Sequence, residues 1–207
     1  MDELRIFLKQ FDSFEEKELD EALARFSEVT VKKNDFYIKE EEVAQKVAFI
    51  KKGLFKLYYN IDGAERIMLF FQENQFVTDY YSFLTQTPSK RPIQAIEDAL
   101  IYNISYNDFQ KLYDTGKKWE RLGRMLAERA YIFSVQRANR IIHDDPDTRF
   151  ITFLKEYPTL IQRIPQYMIA SYLSMTPETY SRIKKRIDLK DVDRFTPIHD
   201  PYKKDFI

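Results

Sequence analysis

The sequence predicts an α+β protein: a double-stranded β-helix, or jelly roll, followed by one long helix and a pair of short helices near the C-terminus. Three observations support this prediction. Apolar residues recur with a period of two from about 27 to 105, which is typical of strands. They recur at helical spacing, without proline, from 117 to 142. Two short helical segments then meet at a tight break between 164 and 187.

The composition indicates a folded chain with little material for catalysis. Of its 207 residues, 44% are hydrophobic and 32% are charged, with 33 basic and 33 acidic side chains. Cysteine is missing and the two histidines, His143 and His199, are far apart, so thiolate, metal and nucleophile–base chemistry are poorly supplied. We expect a protein that is not an enzyme, with no catalytic residues, no metal site and no predicted cofactor.

The charges of this neutral chain are unevenly placed. The segment from Arg182 to Lys190 holds five basic residues against one acidic residue. No apolar run approaches the roughly 18 residues of a membrane-spanning helix. The acidic N-terminus lacks the features of a signal peptide. We therefore expect a cytoplasmic protein, with no membrane partner, that carries a local basic stripe.

Residues 3 to 26 have the apolar spacing of a helix, and Ser13 with Glu16 fits a capping box within it. Strands are predicted next, from runs of β-branched and aromatic residues 8 to 12 positions apart, which is typical of a sandwich or roll. The clearest runs are 47–50, 54–59, 67–71, 93–96 and 100–104, with a turn at 60–63.

The long helix predicted over 117–142 has two apolar stripes on roughly opposite sides. One holds Trp119, Leu126, Ala130 and Phe133, and the other Met125, Ile132, Val135 and Ile142. Because one stripe can pack on the strand domain, the other needs a partner, and a second copy of the chain in a two-fold dimer would supply one. The alternative is a helix buried within one chain. Pro146 starts the next helix, which is predicted to run to about Tyr157.

The segment 164–187 predicts a helical hairpin. Pro165 opens a helix over 166–173 in which Ala170 is small enough for a close helix crossing, and Ser174-Met175 breaks it. Thr176 is predicted as the N-cap of the second helix, with Pro177 at its first position. Two helices of this length joined by so short a turn have the geometry of a helix-turn-helix.

The second helix of the hairpin has an apolar face and a face with hydrogen-bonding groups. Tyr180, Ile183 and Ile187 fall on the first, while Glu178, Arg182 and Lys185 fall on the second. Arg182 can donate a bidentate pair to guanine, and Glu178 can accept from the amino group of cytosine. The predicted DNA-contacting set, which includes candidate phosphate contacts, is Thr176, Glu178, Thr179, Ser181, Arg182, Lys184, Lys185 and Arg186. The alternative is an ordinary helical hairpin.

Residues 164–182 resemble the helix-turn-helix of the Crp/Fnr family of bacterial transcription regulators. Residues 50–54 with 62–63, and 76–84, resemble that family's cyclic-nucleotide-binding-type β-roll. The resemblance implies a homodimer that reads a palindromic site in double-stranded DNA through Glu178 and Arg182, with RNA polymerase as a further candidate partner. A third base-reading arginine of nucleotide-responsive members is replaced by Pro177. The family's β-wing is expected to be reduced, since no clear hairpin follows Ile187.

The resemblance also implies three parts: a sensor β-roll over 1–115, a dimerisation helix over 116–143 and a DNA-binding domain over 144–207. In the family, a Gly-Glu pair and an Arg-Ser/Thr pair hold the cyclic nucleotide. The matching positions are Thr78-Asp79 and Ser89-Lys90, so the glycine and the arginine are replaced. We therefore expect no cyclic AMP or GMP binding. The candidate effector pocket is Thr78, Asp79, Tyr80, Ser89, Lys90 and Arg91.

Three roles for this pocket stay open: a scaffold without ligand, a site for another effector such as an anionic aromatic molecule, and a cyclic nucleotide site with altered chemistry. The alternative for the whole chain is a ligand-binding module, including a cyclic-nucleotide receptor, that acts through protein partners.

Overall fold

The computed structural model of the protein describes residues 1–187. The chain divides into two compact units between Ala127 and Glu128. The segment 188–195, in which a reduced wing was predicted, lies outside the described residues. Among those described, no helix is both long enough and apolar enough to cross a membrane.

The first unit is built around two four-stranded antiparallel sheets, so the predicted β-roll is confirmed. One sheet has the order β1 (Ser27–Val31), β8 (Ala99–Ser105), β3 (Lys46–Lys52) and β6 (Phe76–Val77). The other has the order β2 (Phe36–Ile38), β7 (Ile93–Ala95), β4 (Phe55–Ile61) and β5 (Ala64–Phe71). Neighbours within each sheet are distant in the chain except for the β4–β5 hairpin, as expected for a roll.

Apolar side chains from both sheets form the core of this unit. Phe49 and Ile101 of one sheet and Phe55 of the other are fully buried in the same cluster. Gly53, between β3 and β4, allows the chain to approach the start of β8 closely: its φ is +117°, and a β-carbon there would lie 2.4 Å from the Cβ of Ala99. This position therefore requires glycine both for its backbone conformation and for space.

The N-terminal region forms two helices, α1 (Asp2–Lys9) and α2 (Glu16–Leu23), where one helix over 3–26 was predicted. The predicted capping box is also misplaced, because the backbone N–H of Glu15 donates to Glu18 Oε2 at 2.7 Å. The cause is Asp12, whose carboxylate accepts from the backbone N–H of Ser13 at 2.8 Å and closes a local turn there.

Two further helices, α3 (Tyr80–Thr85) and α4 (Tyr106–Asp114), lie in the first unit, and the long helix α5 (Lys117–His143) begins there. The predicted long helix is thus confirmed to within a residue. Gly123 allows α5 to pack against α4, because a β-carbon at this position would lie 2.2 Å from Tyr113 Oη.

Over residues 128–187, the second unit holds the remainder of α5 and four shorter helices: α6 (Pro146–Glu156), α7 (Leu160–Arg163), α8 (Gln166–Tyr172) and α9 (Pro177–Arg186). The predicted start at Pro146 is confirmed, with Asp145 as the N-cap. The prediction for Pro165 is off by one position, because its extended backbone makes it the N-cap of α8 rather than the first helical residue.

Candidate nucleic-acid interface and β-roll pocket

The turn between α8 and α9 is closed by backbone hydrogen bonds. Ser174 adopts the left-handed conformation, with φ at 53°. The N–H of Met175 donates to the carbonyl of Ala170 at 3.0 Å, which is the long bond of a Schellman motif. Thr176 then caps α9 by accepting from the N–H of Thr179 at 3.2 Å. These contacts fix where α9 begins and join it to α8 through a short, closed turn.

One face of α9 packs against the other helices of the second unit. Tyr180 and Ile183 are buried, and the ring of Tyr180 meets the ring of Phe150 of α6 edge-on, with centroids 5.5 Å apart. Ile187, just beyond the helix, is buried as well. The apolar face predicted from the sequence is therefore the buried face, and it sets which side chains α9 presents to solvent.

The opposite face of α9 presents Glu178, Arg182 and Lys185, all of which are exposed. No hydrogen bond or ion pair joins Arg182 to another residue within 1–187, so its five N–H donors are available. The N–H of Glu178 itself and the hydroxyl of Thr176 hold the pKa of Glu178 below its usual value. At neutral pH this side chain is therefore an acceptor of hydrogen bonds.

The other predicted DNA contacts are placed less uniformly. Thr179, Ser181 and Lys184 are half-buried at the sides of α9, and Thr176 is exposed at its start. Arg186 forms an ion pair with both carboxylate oxygens of Asp147 in α6. This pair ties α9 to α6, so Arg186 has a local partner that the sequence pattern did not indicate.

In the β-roll, three of the six predicted pocket residues meet in one buried network. Ser89 Oγ donates to Asp79 Oδ2 at 2.5 Å, and the guanidinium of Arg91 forks onto the same carboxylate. Asp79 is 1% exposed. The Crp/Fnr resemblance places the arginine of the family at position 89. Arg91 stands two residues further along the chain, and its guanidinium reaches the carboxylate of Asp79.

The remaining three pocket residues have separate surroundings. Thr78 Oγ1 donates to the carbonyl of Lys46 at 3.0 Å. Lys90 Nζ pairs with Glu41 at the surface, at 2.5 Å. Tyr80 is half-buried, and burial raises its pKa. Because Arg91 and Lys90 each face a carboxylate of their own, these six residues offer no unpaired positive charge to a phosphate.

The described architecture is an antiparallel β-roll followed in the chain by a long helix and a group of shorter helices. Residues 28–115 match the family model of the cyclic nucleotide-binding domain. This match covers the strands β1 to β8 and the pocket residues. Among curated proteins, no relative of the chain is found.

Several known structures are similar over most of the chain. FixK2 from Bradyrhizobium japonicum has a TM-score of 0.70 at 18% identity, covering 78% of this chain and 83% of that protein. The c-di-GMP-responsive global regulator CLP from Xanthomonas campestris has a TM-score of 0.65 at 15% identity, covering 83% and 91%. The catabolite activator protein of Thermus thermophilus has a TM-score of 0.52 at 17% identity, covering 85% and 84%. These likenesses confirm the predicted fold.

The sequence interpretation missed one surface of α5. Tyr131 and Ile142 are each 71% exposed, and Ala138 is exposed between them. With the half-buried Val135, their spacing of i, i+4, i+7 and i+11 forms one apolar stripe. The two predicted stripes contained Val135 and Ile142 but left out Tyr131, although the same helical spacing would have included it.

Proposed function

We propose that this protein is a sequence-specific, double-stranded-DNA-binding transcription regulator of the Crp/Fnr type. The observation that carries the proposal is the two-sided character of α9. Its apolar side is buried against Phe150, and its other side presents Glu178 and Arg182, two groups that suit base edges in a major groove. The helix is preceded by a closed turn and a capped start, as a recognition helix requires.

We assign base reading to Glu178 and Arg182 and phosphate contacts to the flanking Thr179, Ser181, Lys184 and Lys185. Arg186 is assigned a phosphate contact as well, although it must share its guanidinium with Asp147. Pro177 has no N–H and a short ring, so it sets the start of the helix rather than reading a base.

The active form is proposed to be a homodimer that contacts a palindromic site with two copies of α9. Its support is the exposed apolar stripe Tyr131, Val135, Ala138 and Ile142 on α5. A surface of this kind rarely faces water along a helix, and a two-fold axis lets the same stripe cover itself. We place the regulator in the cytoplasm, with RNA polymerase as a candidate partner.

The decisive experiment is selection of bound sequences from a random pool of duplex DNA by the purified full chain. An enriched palindrome with half-sites about one helical turn apart would support both the function and the dimer. Arg182→Ala should weaken binding to that site by about 1–3 kcal/mol and relax preference at one base pair per half-site. The matched control is Arg66→Ala, which removes an exposed arginine from the β-roll.

A second comparison separates base reading from general attraction. Lys185→Ala should weaken binding evenly across sequences and lower the dependence of log affinity on log salt by about one. If Arg182→Ala retains wild-type affinity and base preference, the assignment of Arg182 is wrong. If the pool yields no enriched sequence at low salt, the regulator proposal itself fails.

A cyclic-nucleotide receptor is the second candidate, because residues 28–115 match the cyclic nucleotide-binding domain. The Asp79–Arg91 pair argues against it. A cyclic phosphate would have to draw Arg91 away from a buried carboxylate, and breaking such a pair costs several kcal/mol. We expect calorimetry to detect no binding of cyclic AMP or GMP at 1 mM. Micromolar binding would favour the receptor.

A further inference from the structure

The second unit contains a cavity of about 260 Å³ between the C-terminal half of α5, α6 and the end of α8. It lies well away in sequence from the β-roll pocket and from the exposed face of α9. Three arginines contribute to its wall, together with several aromatic and aliphatic side chains. The lining residues used below are Phe133, Arg137, Arg140, Arg149, Thr152 and Tyr172.

Two of the arginines are already engaged. Arg140 forms a bidentate pair with Glu156, with both distances at 2.6 Å. The guanidinium of Arg137 stacks on the ring of Tyr172, with its central carbon 3.9 Å from the ring centroid, and donates to the carbonyl of Tyr172 at 2.8 Å. These contacts hold two positive groups in the wall with little freedom to move, since planar guanidinium groups are fixed by stacking and by forked bonds.

Arg149 differs from the other two. No hydrogen bond or ion pair joins its side chain to another of the residues 1–187, and its Nε–H is buried. A buried donor lowers stability unless something accepts from it. Asp144 is close enough for Arg149 to lower its pKa, although burial, the larger effect, raises it. With Glu156 the single carboxylate among the lining residues, the wall carries an excess of positive charge.

The apolar part of the wall defines the shape of an occupant. The rings of Phe153, Tyr157 and Tyr172 stand within 5.4 to 6.4 Å of one another, centroid to centroid, and Phe133 adds a fourth ring to the lining. Flat aromatic walls favour a flat, apolar body. A volume of about 260 Å³ is below the roughly 300–1,000 Å³ of sites for drug-sized ligands. The volume therefore favours a small occupant.

We propose that this cavity binds a small aromatic carboxylate, whose carboxylate accepts from Arg149 and whose ring lies among the aromatic side chains. An inorganic anion would leave the aromatic wall unused, and a neutral aromatic would leave the Nε–H of Arg149 without a partner. The occupant would contact α8, and α6 carries Asp147, the partner of Arg186 in α9. An effect of the ligand on DNA affinity is a consequence that rests on the proposed function.

The test uses the full chain, without DNA, so its result does not depend on the proposed function. Benzoate is the probe, and its binding is followed by ligand-detected NMR titration. We expect a dissociation constant of about 1 mM or tighter for benzoate. Acetate, inorganic phosphate and benzyl alcohol should each bind at least about tenfold more weakly, since each lacks either the ring or the carboxylate.

Substitutions locate the site. Arg149→Gln should weaken benzoate binding at least about tenfold, because it removes the charge-assisted hydrogen bond. The affinity of Arg149→Lys for benzoate should lie between those of the wild type and Arg149→Gln, because lysine keeps the charge but lacks the forked guanidinium. Thr152→Leu should reduce binding by filling the cavity while leaving its charges in place. The matched control is Lys155→Gln, which removes an exposed charge from α6 outside the lining.

Clear results would overturn the proposal. Equal affinity for benzoate, acetate and phosphate would make the site a surface anion site, and equal affinity for benzyl alcohol would make it a neutral apolar cavity. Unchanged benzoate affinity in a folded Arg149→Gln variant would exclude the assigned group. If that variant does not fold, Thr152→Leu decides, because a folded Thr152→Leu variant with wild-type affinity excludes the cavity.

Discussion

Tyr180 holds α9 in place through its ring rather than through its hydroxyl group. The side chain is fully buried, and its hydroxyl has no hydrogen-bond partner in the described residues. A buried hydroxyl without a partner lowers stability, so removing it while keeping the ring costs little. At the scale of single residues, the contribution of Tyr180 to holding α9 can therefore be divided into the packing of its ring and the burial of its hydroxyl group.

We predict that Tyr180→Phe leaves the free energy of unfolding unchanged or raises it by up to about 1 kcal/mol. Tyr102→Phe is the matched comparison, because that hydroxyl donates to Glu3 Oε2 at 3.2 Å, and its loss should cost about 0.5–1.5 kcal/mol. Urea unfolding followed by far-UV circular dichroism measures both. A loss of more than 1 kcal/mol in Tyr180→Phe would show that the hydroxyl has a partner.

Among the helices, α6 depends on its N-cap. The carboxylate of Asp145 accepts from the N–H of Thr148 at 2.9 Å and from the Thr148 hydroxyl at 3.0 Å. The backbone bond from Thr148 is the main reason that the pKa of Asp145 lies below its usual value. Because the pKa is lowered on folding, the charged cap stabilises the protein above its unfolded pKa near 4, and this contribution is lost as pH falls through the folded pKa.

Asp145→Ala should therefore lower stability by about 1 kcal/mol at pH 7, with the difference from wild type shrinking below about pH 4. Asp145→Asn should retain most of the stability at pH 7, because asparagine is an equally good N-cap. Asp35→Ala, which removes an exposed aspartate from a turn, is the control. Thermal unfolding from pH 3 to 7 measures the difference, and a pH-independent gap would refute the charged-cap explanation.

The contact between α4 and α5 predicts that Gly123→Ala has opposite effects on stability in the presence and in the absence of the Tyr113 ring. Gly123→Ala would place a methyl group 2.2 Å from Tyr113 Oη, and Tyr113 is itself packed against Phe109 with ring centroids 5.2 Å apart. Tyr113 is half-buried, and burial raises its pKa to about 12. Overpacking of this kind costs about 1–3 kcal/mol, more than the roughly 1 kcal/mol that alanine gains over glycine in a helix.

We expect Gly123→Ala alone to destabilise the protein by about 1 kcal/mol. In a Tyr113→Ala background the same change should stabilise it by a similar amount, since only helix propensity then acts. Chemical unfolding of the four proteins forms a double-mutant cycle. Additive effects would mean that the two side chains do not meet.

Elements with strong periodicity could be predicted from the sequence, and those decided by a local polar contact could not. The spacing of apolar residues predicted α5, α6 and α9 nearly to the residue. Helix α1 ended early because the carboxylate of Asp12 bonds the N–H of Ser13 and competes with the helix.

The same distinction applies to the candidate sites: features that follow from helical periodicity could be predicted, and contacts across a loop could not. The two faces of α9 follow from a helical period, so its buried and exposed residues were predicted correctly. The pairing of Arg91 with Asp79 joins side chains twelve positions apart across a loop, and the path of that loop depends on long-range contacts. The resemblance to the Crp/Fnr family implied that the arginine is replaced at Ser89, and only the folded loop brings Arg91 to the carboxylate of Asp79.

At the scale of the whole molecule, we expect the exposed apolar stripe on α5 to form the contact of a homodimer. Ile142→Glu should convert a dimer to a monomer at micromolar concentration, because it places a charge on a surface that the dimer would bury. The loss of the second half-site contact should also lower DNA affinity at least about a hundredfold. Ile61→Glu, at an exposed position of the β4–β5 hairpin, is the control. Sedimentation equilibrium measures the state, and an unchanged oligomer would exclude this stripe.

The chain has one tryptophan, Trp119, and it is buried in the first unit with its ring 4.6 Å from the ring of Phe14, centroid to centroid. Its fluorescence therefore reports on the β-roll unit, whereas circular dichroism reports on the helices of both units. If the two signals change at different denaturant concentrations, unfolding is not a single two-state transition. The protein thus contains its own optical probe, confined to its first unit, with which the cooperativity of unfolding between the two units can be measured without a label.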